Sequence, residues 1–282
     1  MAETDDPIEG WRAVAAGWEH RRTVFLESTR TVSERLVELL DPRPGETILE
    51  LACGPGDTGF LAAPRLQPGG RLLSTDAAPE MVDAARRRAS ELGLDDDAVS
   101  FAVEDMSALS LDDASVDGVL CRWGIMLVRD MDAAVREIAR VVRPGGRAAV
   151  AVWADAAQND WMTAPTRGAL ELGLVEPPDP EAPGPFRLSA EGALAAVLEE
   201  GGLAVETVED VPLTWRTESL GEWWDVARDT SRTLSLVLER VTSEEADAIR
   251  ANAERRLERY VQEDGTLAVP GIARVALARR PA

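Results

Sequence analysis

From residue 47 onward the chain alternates short, unbroken apolar runs with longer stretches patterned for amphipathic helices, and that alternation leaves few folds open. Residues 47–51, 71–76, 99–104, 116–121 and 147–153 read as strands bounded by Gly and Pro signals. Helices are expected at 57–67, 79–93 and 131–142. In the last of these Met131, Ala134, Val135, Ile138 and Val142 share one face, and Arg143-Pro144-Gly145-Gly146 ends it. Buried runs of this kind, joined by helices, imply a parallel sheet covered on both faces by right-handed crossovers. The fold class is therefore α/β, with a doubly wound, mostly parallel sheet of seven strands. Beyond the fifth strand a helix at 189–200 and a strand at 203–215 resume the alternation. Helices follow at 219–239 and at 243–262, the latter opened by a Thr242-x-x-Glu245 capping box.

The flanking segments differ in pattern. Residues 1–40 read as an N-terminal helical cap, with Trp11, Val14, Ala15 and Trp18 on one face and Val32, Leu36, Leu39 and Leu40 on another, ending at Asp41-Pro42. Residues 41–216 form the expected core, interrupted at 155–188 by an insertion that holds a proline-rich stretch from Pro177 to Pro185. Residues 217–263 read as a helical lid. Residues 264–282, divided by Pro270-Gly271, read as the final edge strand of the core, since proline in a sheet favours an edge.

Charge excludes several functions. Asp and Glu number 51 against 30 basic residues, a formal net charge of -21, which disfavours nucleic-acid binding. All of the basic residues are arginine, so Schiff-base chemistry and a lysine base are excluded. A single histidine, His20, excludes a His-rich metal site, and no metal is expected. Cys53 and Cys121 are too few for a disulfide framework. No apolar run is long enough to span a membrane, and no secretory signal is visible, so the expected location is cytoplasmic. The partners expected are a small-molecule acceptor and a second copy in a homodimer, without nucleic acid or a membrane span.

The centre of the chain is Glu50-Leu51-Ala52-Cys53-Gly54-Pro55-Gly56-Asp57-Thr58-Gly59. Gly54, Gly56 and Gly59 satisfy G-x-G-x-x-G between a strand and a helix, where a ligand can approach the main chain. Asp76 lies 22 residues beyond Gly54 at the end of the second strand, placed to accept from ribose hydroxyls. A nicotinamide-dependent oxidoreductase would use the same turn and carboxylate. Three features point elsewhere: Glu104-Asp105-Met106 closing the third strand, the long helical segment before the first strand, and the Arg143–Arg147 turn.

The succession ILELACGPG (48–56), STDAAPEMV (74–82), VEDM (103–106), VDGVLCRWGIM (116–126) and RVVRPGGRAAVAVW (140–153) resembles class I S-adenosylmethionine-dependent methyltransferases. Within them it is similar to the C-methyltransferases of ubiquinone and menaquinone synthesis. The resemblance implies a Rossmann-like fold and S-adenosyl-L-methionine as cofactor. It implies cofactor contacts from Glu50, Ala52, Gly54 and Gly56, from Asp76 and Ala77 at the ribose, and from Met81, Asp105 and Met106 around the adenine. Cys121 and Arg122 would flank the sulfonium end through their backbone. The reaction expected is methyl transfer to oxygen or carbon of a small aromatic or apolar molecule. A cofactor-binding domain without catalysis is the non-enzyme alternative.

Methyl transfer from a sulfonium chiefly requires alignment and exclusion of water. His20 is the candidate general base, since its ordinary pKa of about 6.5 suits neutral pH. Arg22 is a candidate for the methionine carboxylate. Trp123 and Trp153 end the fourth and fifth strands, the edge where such sheets bind ligands, and with Trp18 they are the expected substrate-binding residues. No N/D-P-P-Y/F motif follows the fourth strand, which speaks against methylation of planar amines.

Overall fold

The computed structural model describes residues 7–94 and 97–282. Strands β1 (Thr47–Leu51), β2 (Arg71–Asp76), β3 (Val99–Val103), β4 (Val116–Arg122), β5 (Val142–Trp153), β6 (Ala204–Thr217) and β7 (Leu267–Arg279) form one sheet in the order β3-β2-β1-β4-β5-β7-β6. All neighbours pair in parallel except β7, which runs antiparallel to both β5 and β6. The order reverses between β1 and β4, and the carboxyl ends of these strands make the crevice in which open α/β sheets hold ligands.

Helices α1 (Pro7–His20), α2 (Arg22–Leu40), α3 (Thr58–Ala62), α4 (Pro79–Glu91), α5 (Met131–Val141), α6 (Asp160–Glu171), α7 (Ala193–Glu200), α8 (Leu220–Thr230), α9 (Arg232–Leu238) and α10 (Ser243–Leu257) cover the sheet and its ligand edge. The apolar stripe of α5 (Ala134, Val135, Ile138, Val141) is fully buried, as its spacing predicts. Thr242 caps α10 by accepting from the Glu245 N–H at 3.2 Å while Glu245 accepts from the Thr242 N–H at 2.8 Å.

Several expectations are corrected. The last strand is not at the edge: β7 inserts between β5 and β6, and β6 is the outer strand. Proline is tolerated there because β5 pairs with β7 only from Ala273 onward, so the side of Pro270 away from β6 has no ladder to serve. The N-terminal cap divides in two. Helix α2 lies directly on β4, β5, β6 and β7 and belongs to the core, with Val32, Leu36 and Leu40 wholly buried. Its C-terminal end is held by Arg147 of β5, whose guanidinium donates to the carbonyls of Leu40 and Asp41 and pairs with Glu46 at 2.7 Å. Only α1 reaches over the ligand edge, and the side chain of Trp11 lies outside the described residues. The insertion contains the regular helix α6, and the helix expected at 219–239 breaks at Ser231, whose hydroxyl caps α9 by accepting from Leu234 N–H.

Beyond the end of β5, the first half of β7 and the second half of β6 continue as a two-stranded ladder. This ladder extends past the carboxyl end of β5.

Candidate functional site

The chain leaves β1 through a loop whose glycines each answer a different demand. Gly54 has a φ of +54°, and an added Cβ would meet no protein atom within 4 Å, so its open side faces space available to a ligand. At Gly56 a Cβ would lie 2.4 Å from the Phe60 ring, and at Gly59 it would lie 2.2 Å from a Glu50 carboxylate oxygen. At these two positions the packing of the loop and of α3 on the sheet leaves no room for a side chain. Ala52 shares the left-handed conformation, φ 52°.

Asp76 ends β2 within reach of that loop. Its Oδ2 accepts from the Gly54 N–H at 2.9 Å and its Oδ1 from the Ala78 N–H at 3.0 Å. Both oxygens keep lone pairs for further donors. Burial pushes its pKa up, opposed by the N–H groups of Ala78, Gly54 and Ala77. Helix α1 roofs this corner: Ala15 and Trp18 pack on Ala78 and Met81.

Glu50 does not reach the ligand side. It is buried under the loop, accepting from the Gly59 N–H at 2.6 Å and the Ser74 hydroxyl at 2.8 Å, so it braces the loop from beneath. Burial raises its pKa from 4.5 to about 7, against the pull of Ser74, Gly59 and Arg122. A carboxyl whose folded pKa lies above its unfolded value contributes stability in full below the unfolded pKa, and loses it as pH rises through about 7. A shift of that size corresponds to roughly 3 kcal/mol. Glu50→Gln is therefore expected to flatten the fall in Tm between about pH 5 and about pH 8, since glutamine can accept from Gly59 and donate to Ser74. Parallel Tm profiles for the two proteins would remove Glu50 as the titrating group.

The end of β4 carries Cys121, Arg122, Trp123 and Gly124. Cys121 is wholly buried, and burial raises its thiol to about 11. Cys53 is buried too, its thiol pushed well above 9.0, so neither is a nucleophile at neutral pH. The Arg122 guanidinium turns away from the crevice toward α2, donating to Thr29 Oγ1 at 3.0 Å and Ser33 Oγ at 2.9 Å, and pairing with buried Asp57 at 3.4 Å. Its side chain ties α2 to the glycine loop. Trp123 has a φ of 59°, an uncommon and strained conformation for a bulky residue that concentrates at functional sites. Gly124 abuts the loop so closely that a Cβ would lie 2.5 Å from that of Ala52. At the end of β3, Asp105 is exposed and accepts from the Ser107 N–H and hydroxyl, while Met106 is buried against Gly124.

The tryptophans form a continuous array that sequence spacing could not reveal. Trp123 stacks on Trp153 with centroids 4.0 Å apart, Trp153 meets Trp161 of α6 edge-on at 5.3 Å, and Trp161 stacks on Trp215 of β6 at 3.9 Å. Phe25 and Trp18 extend the array toward α1. Among the described residues the indole nitrogens of Trp123, Trp161 and Trp215 have no hydrogen-bond acceptor, although all three rings are more than nine-tenths buried. Trp18 donates instead to the Thr230 carbonyl at 3.1 Å.

Two sequence candidates fall away. His20 is exposed at the C-terminal end of α1, where an imidazole in water has no fixed geometry for drawing a proton from an enclosed acceptor. Arg22 pairs with Glu91 of α4 at 3.6 Å rather than facing the crevice. Among the described residues no cluster of ligating side chains suits a metal, and no helix is long and apolar enough to cross a membrane.

Known proteins share this arrangement. A family model described as a methyltransferase domain matches residues 48–146. Nocamycin O-methyltransferase of Saccharothrix syringae is 30% identical over 229 residues, 73% of this chain and 81% of that protein. A ubiquinone/menaquinone biosynthesis C-methyltransferase of Acidiphilium cryptum is 39% identical over 120 residues, 42% of this chain and 46% of that protein. The chain spans between about a third and a half of most of the other curated relatives it matches. The [4+2]-cyclase SpnF is similar in fold, with a TM-score of 0.56 at 20% identity over 89% of this chain and 80% of that one. The share of nocamycin O-methyltransferase that is matched, together with the β1 loop and the sheet order, settles the family: this chain belongs to the class I S-adenosylmethionine-dependent methyltransferases.

Proposed function

We propose that this protein transfers a methyl group from S-adenosylmethionine to an oxygen or carbon of a small aromatic or apolar molecule. The observation that carries the reading is the aromatic array set directly against the glycine loop, where the Trp123-Gly124 turn meets Ala52. An O-methyltransferase and a quinone C-methyltransferase among the relatives agree with it.

The residues present fit the cofactor. Open space before Gly54 admits a ligand against the main chain, and the Asp76 carboxylate beside it suits a pair of ribose hydroxyls. Met81 and Met106 offer apolar surface to the adenine, with Ala77 and Asp105 at its rim, while Ala52 and the backbone of Cys121 and Arg122 border the methionine part. When bound, S-adenosylmethionine supplies a methyl group already activated on its sulfonium. The chain's own task is orientation and dryness: Trp123 and Trp153 border the acceptor side, and α1 with Trp18 closes the corner over Asp76 and Ala78.

Two measurements test this. Asp76→Ala should weaken S-adenosylhomocysteine binding by about ten-fold or more, because hydrogen bonds to a charged group contribute roughly 1.5–3 kcal/mol. Unchanged affinity by calorimetric titration would discard the ribose assignment. Mass spectrometry of reactions with phenols, quinols and carboxylates should reveal a product heavier by one methyl; bound cofactor with no methylated product from any of these classes counts against the reaction.

A further inference from the structure

Resting on the methyltransferase reading, the charges around the β1 loop bear on which form of the cofactor the protein prefers to hold. S-adenosylmethionine carries a sulfonium cation, whereas S-adenosylhomocysteine, one methyl group lighter, has a neutral sulfur. The two share ribose, adenine and amino-acid part, so contacts to those groups hold both forms alike. Only a feature that senses the charge separates them.

Carboxyl groups gather around this loop. Glu50 lies beneath it, held by the Gly59 N–H and the Ser74 hydroxyl. Asp57 is buried just before α3, and Asp76 is joined to the Gly54 N–H. The cation that opposes them is Arg122, which pairs with Asp57 at 3.4 Å and acts on Glu50 only through space. Among the described residues no guanidinium pairs directly with Glu50. The thiols of Cys53 and Cys121 face the same carboxyls, but burial pushes both up, Cys121 to about 11, so they stay neutral.

A buried carboxyl without an ion pair is costly to ionise, and Glu50 accordingly titrates at about 7. Bracing the loop does not call for such a group, since glutamine could meet Gly59 and Ser74 without a charge. Its place is informative: Glu50 lies in register with Leu120 on β4, beside the Cys121 backbone that borders the methionine part.

We propose that Glu50, with Asp57 and Asp76, makes this corner charge-selective, so that it binds S-adenosylmethionine in preference to S-adenosylhomocysteine and holds the product less tightly once the sulfonium charge is gone. A cation nearby favours the ionised carboxyl, and by linkage the ionised carboxyl favours the cation. A negative field steadies the sulfonium before reaction, so the effect lies in choosing cofactor and releasing product rather than in speeding methyl transfer. Glu50 is in this sense a positioning residue that acts through the field.

The test is calorimetric titration of the full chain with each cofactor form, without acceptor, in the parent and in Glu50→Gln. The affinity for S-adenosylmethionine relative to S-adenosylhomocysteine should rise about five-fold between pH 6 and pH 8 in the parent, measured against Glu50→Gln as reference. The reference cancels the ligands' own ionisation. A looser loop would weaken both ligands alike and leave their ratio unchanged. Should Glu50→Gln not fold, proton release by the native protein decides, read from binding heats in buffers of different ionisation enthalpy. At pH 6.5, where the ligands' amino groups are already largely protonated, S-adenosylmethionine should release roughly half a proton and S-adenosylhomocysteine almost none. Parallel pH profiles of the ratio in the two proteins, or equal proton release by the two ligands, overturns the proposal. Failure of the parent to bind either form would instead refute the cofactor reading on which it rests.

Discussion

Gly54→Val is expected to leave a folded protein that no longer binds S-adenosylhomocysteine. The left-handed backbone at Gly54 would strain a valine by roughly 1–2 kcal/mol, a tolerable fraction of ordinary domain stability. No protein atom lies within 4 Å of the new Cβ, so the added methyls project into the ligand's space rather than into the core. The expected loss of affinity is on the order of a hundred-fold or more, comparable to removing several good contacts. Gly59→Val provides the contrast. Its Cβ would lie 2.2 Å from the Glu50 carboxylate and 2.8 Å from Leu72, both inside the fold, so this variant should fail to fold rather than fold without binding. Circular dichroism and calorimetry separate the two. A folded Gly54→Val with parental affinity would mean that the ligand lies elsewhere.

The second large effect is expected at Arg122, and it is one of stability. Its side chain is 11% exposed and that of its partner Asp57 only 3%, so Arg122→Ala strands a carboxylate away from water. Breaking such a buried pair by removing one partner costs roughly 3–5 kcal/mol. For a chain of this size that should lower Tm by on the order of 10 °C. Arg122→Met with Asp57→Asn removes both charges while keeping volume, and should recover much of the loss. If Arg122→Ala melts within a degree or two of the parent, the tie between α2 and the glycine loop is dispensable.

The parts of this architecture governed by local chemistry were visible in the chain itself. Strands β1 and β4 and the second half of β5 are buried on both faces and so read as apolar runs, and α5 announces itself by its stripe. Asp76 could be found because its distance from Gly54 follows from the length of one crossover. What escaped depended on partners far along the chain. Pro270 marks β7 as an edge strand until the end of β5 is seen to lie opposite Ala273. Arg122 seemed to offer only its backbone, since nothing in CRWG says that its guanidinium turns to α2. His20, the one imidazole, drew attention by its rarity, whereas exposure is decided by how α1 docks. Trp123 and Trp153 are legible at the carboxyl ends of the fourth and fifth strands, but the stacking that links them to Trp161 and Trp215 joins residues far apart in the chain.

The place of β7 inside the sheet has a consequence for how the chain is made. On the ribosome β6 emerges before α8, α9 and α10, and its only neighbour in the sheet is synthesised after all three. Until then β5 presents an open edge, and the nascent chain carries a long strand with Val211, Leu213 and Trp215 uncovered by β7. Pairings delayed across so much sequence form slowly and expose apolar surface while they wait. Arrested nascent chains ending before β7 should therefore bind chaperones, and release from them should coincide with the strand that joins β5 to β6.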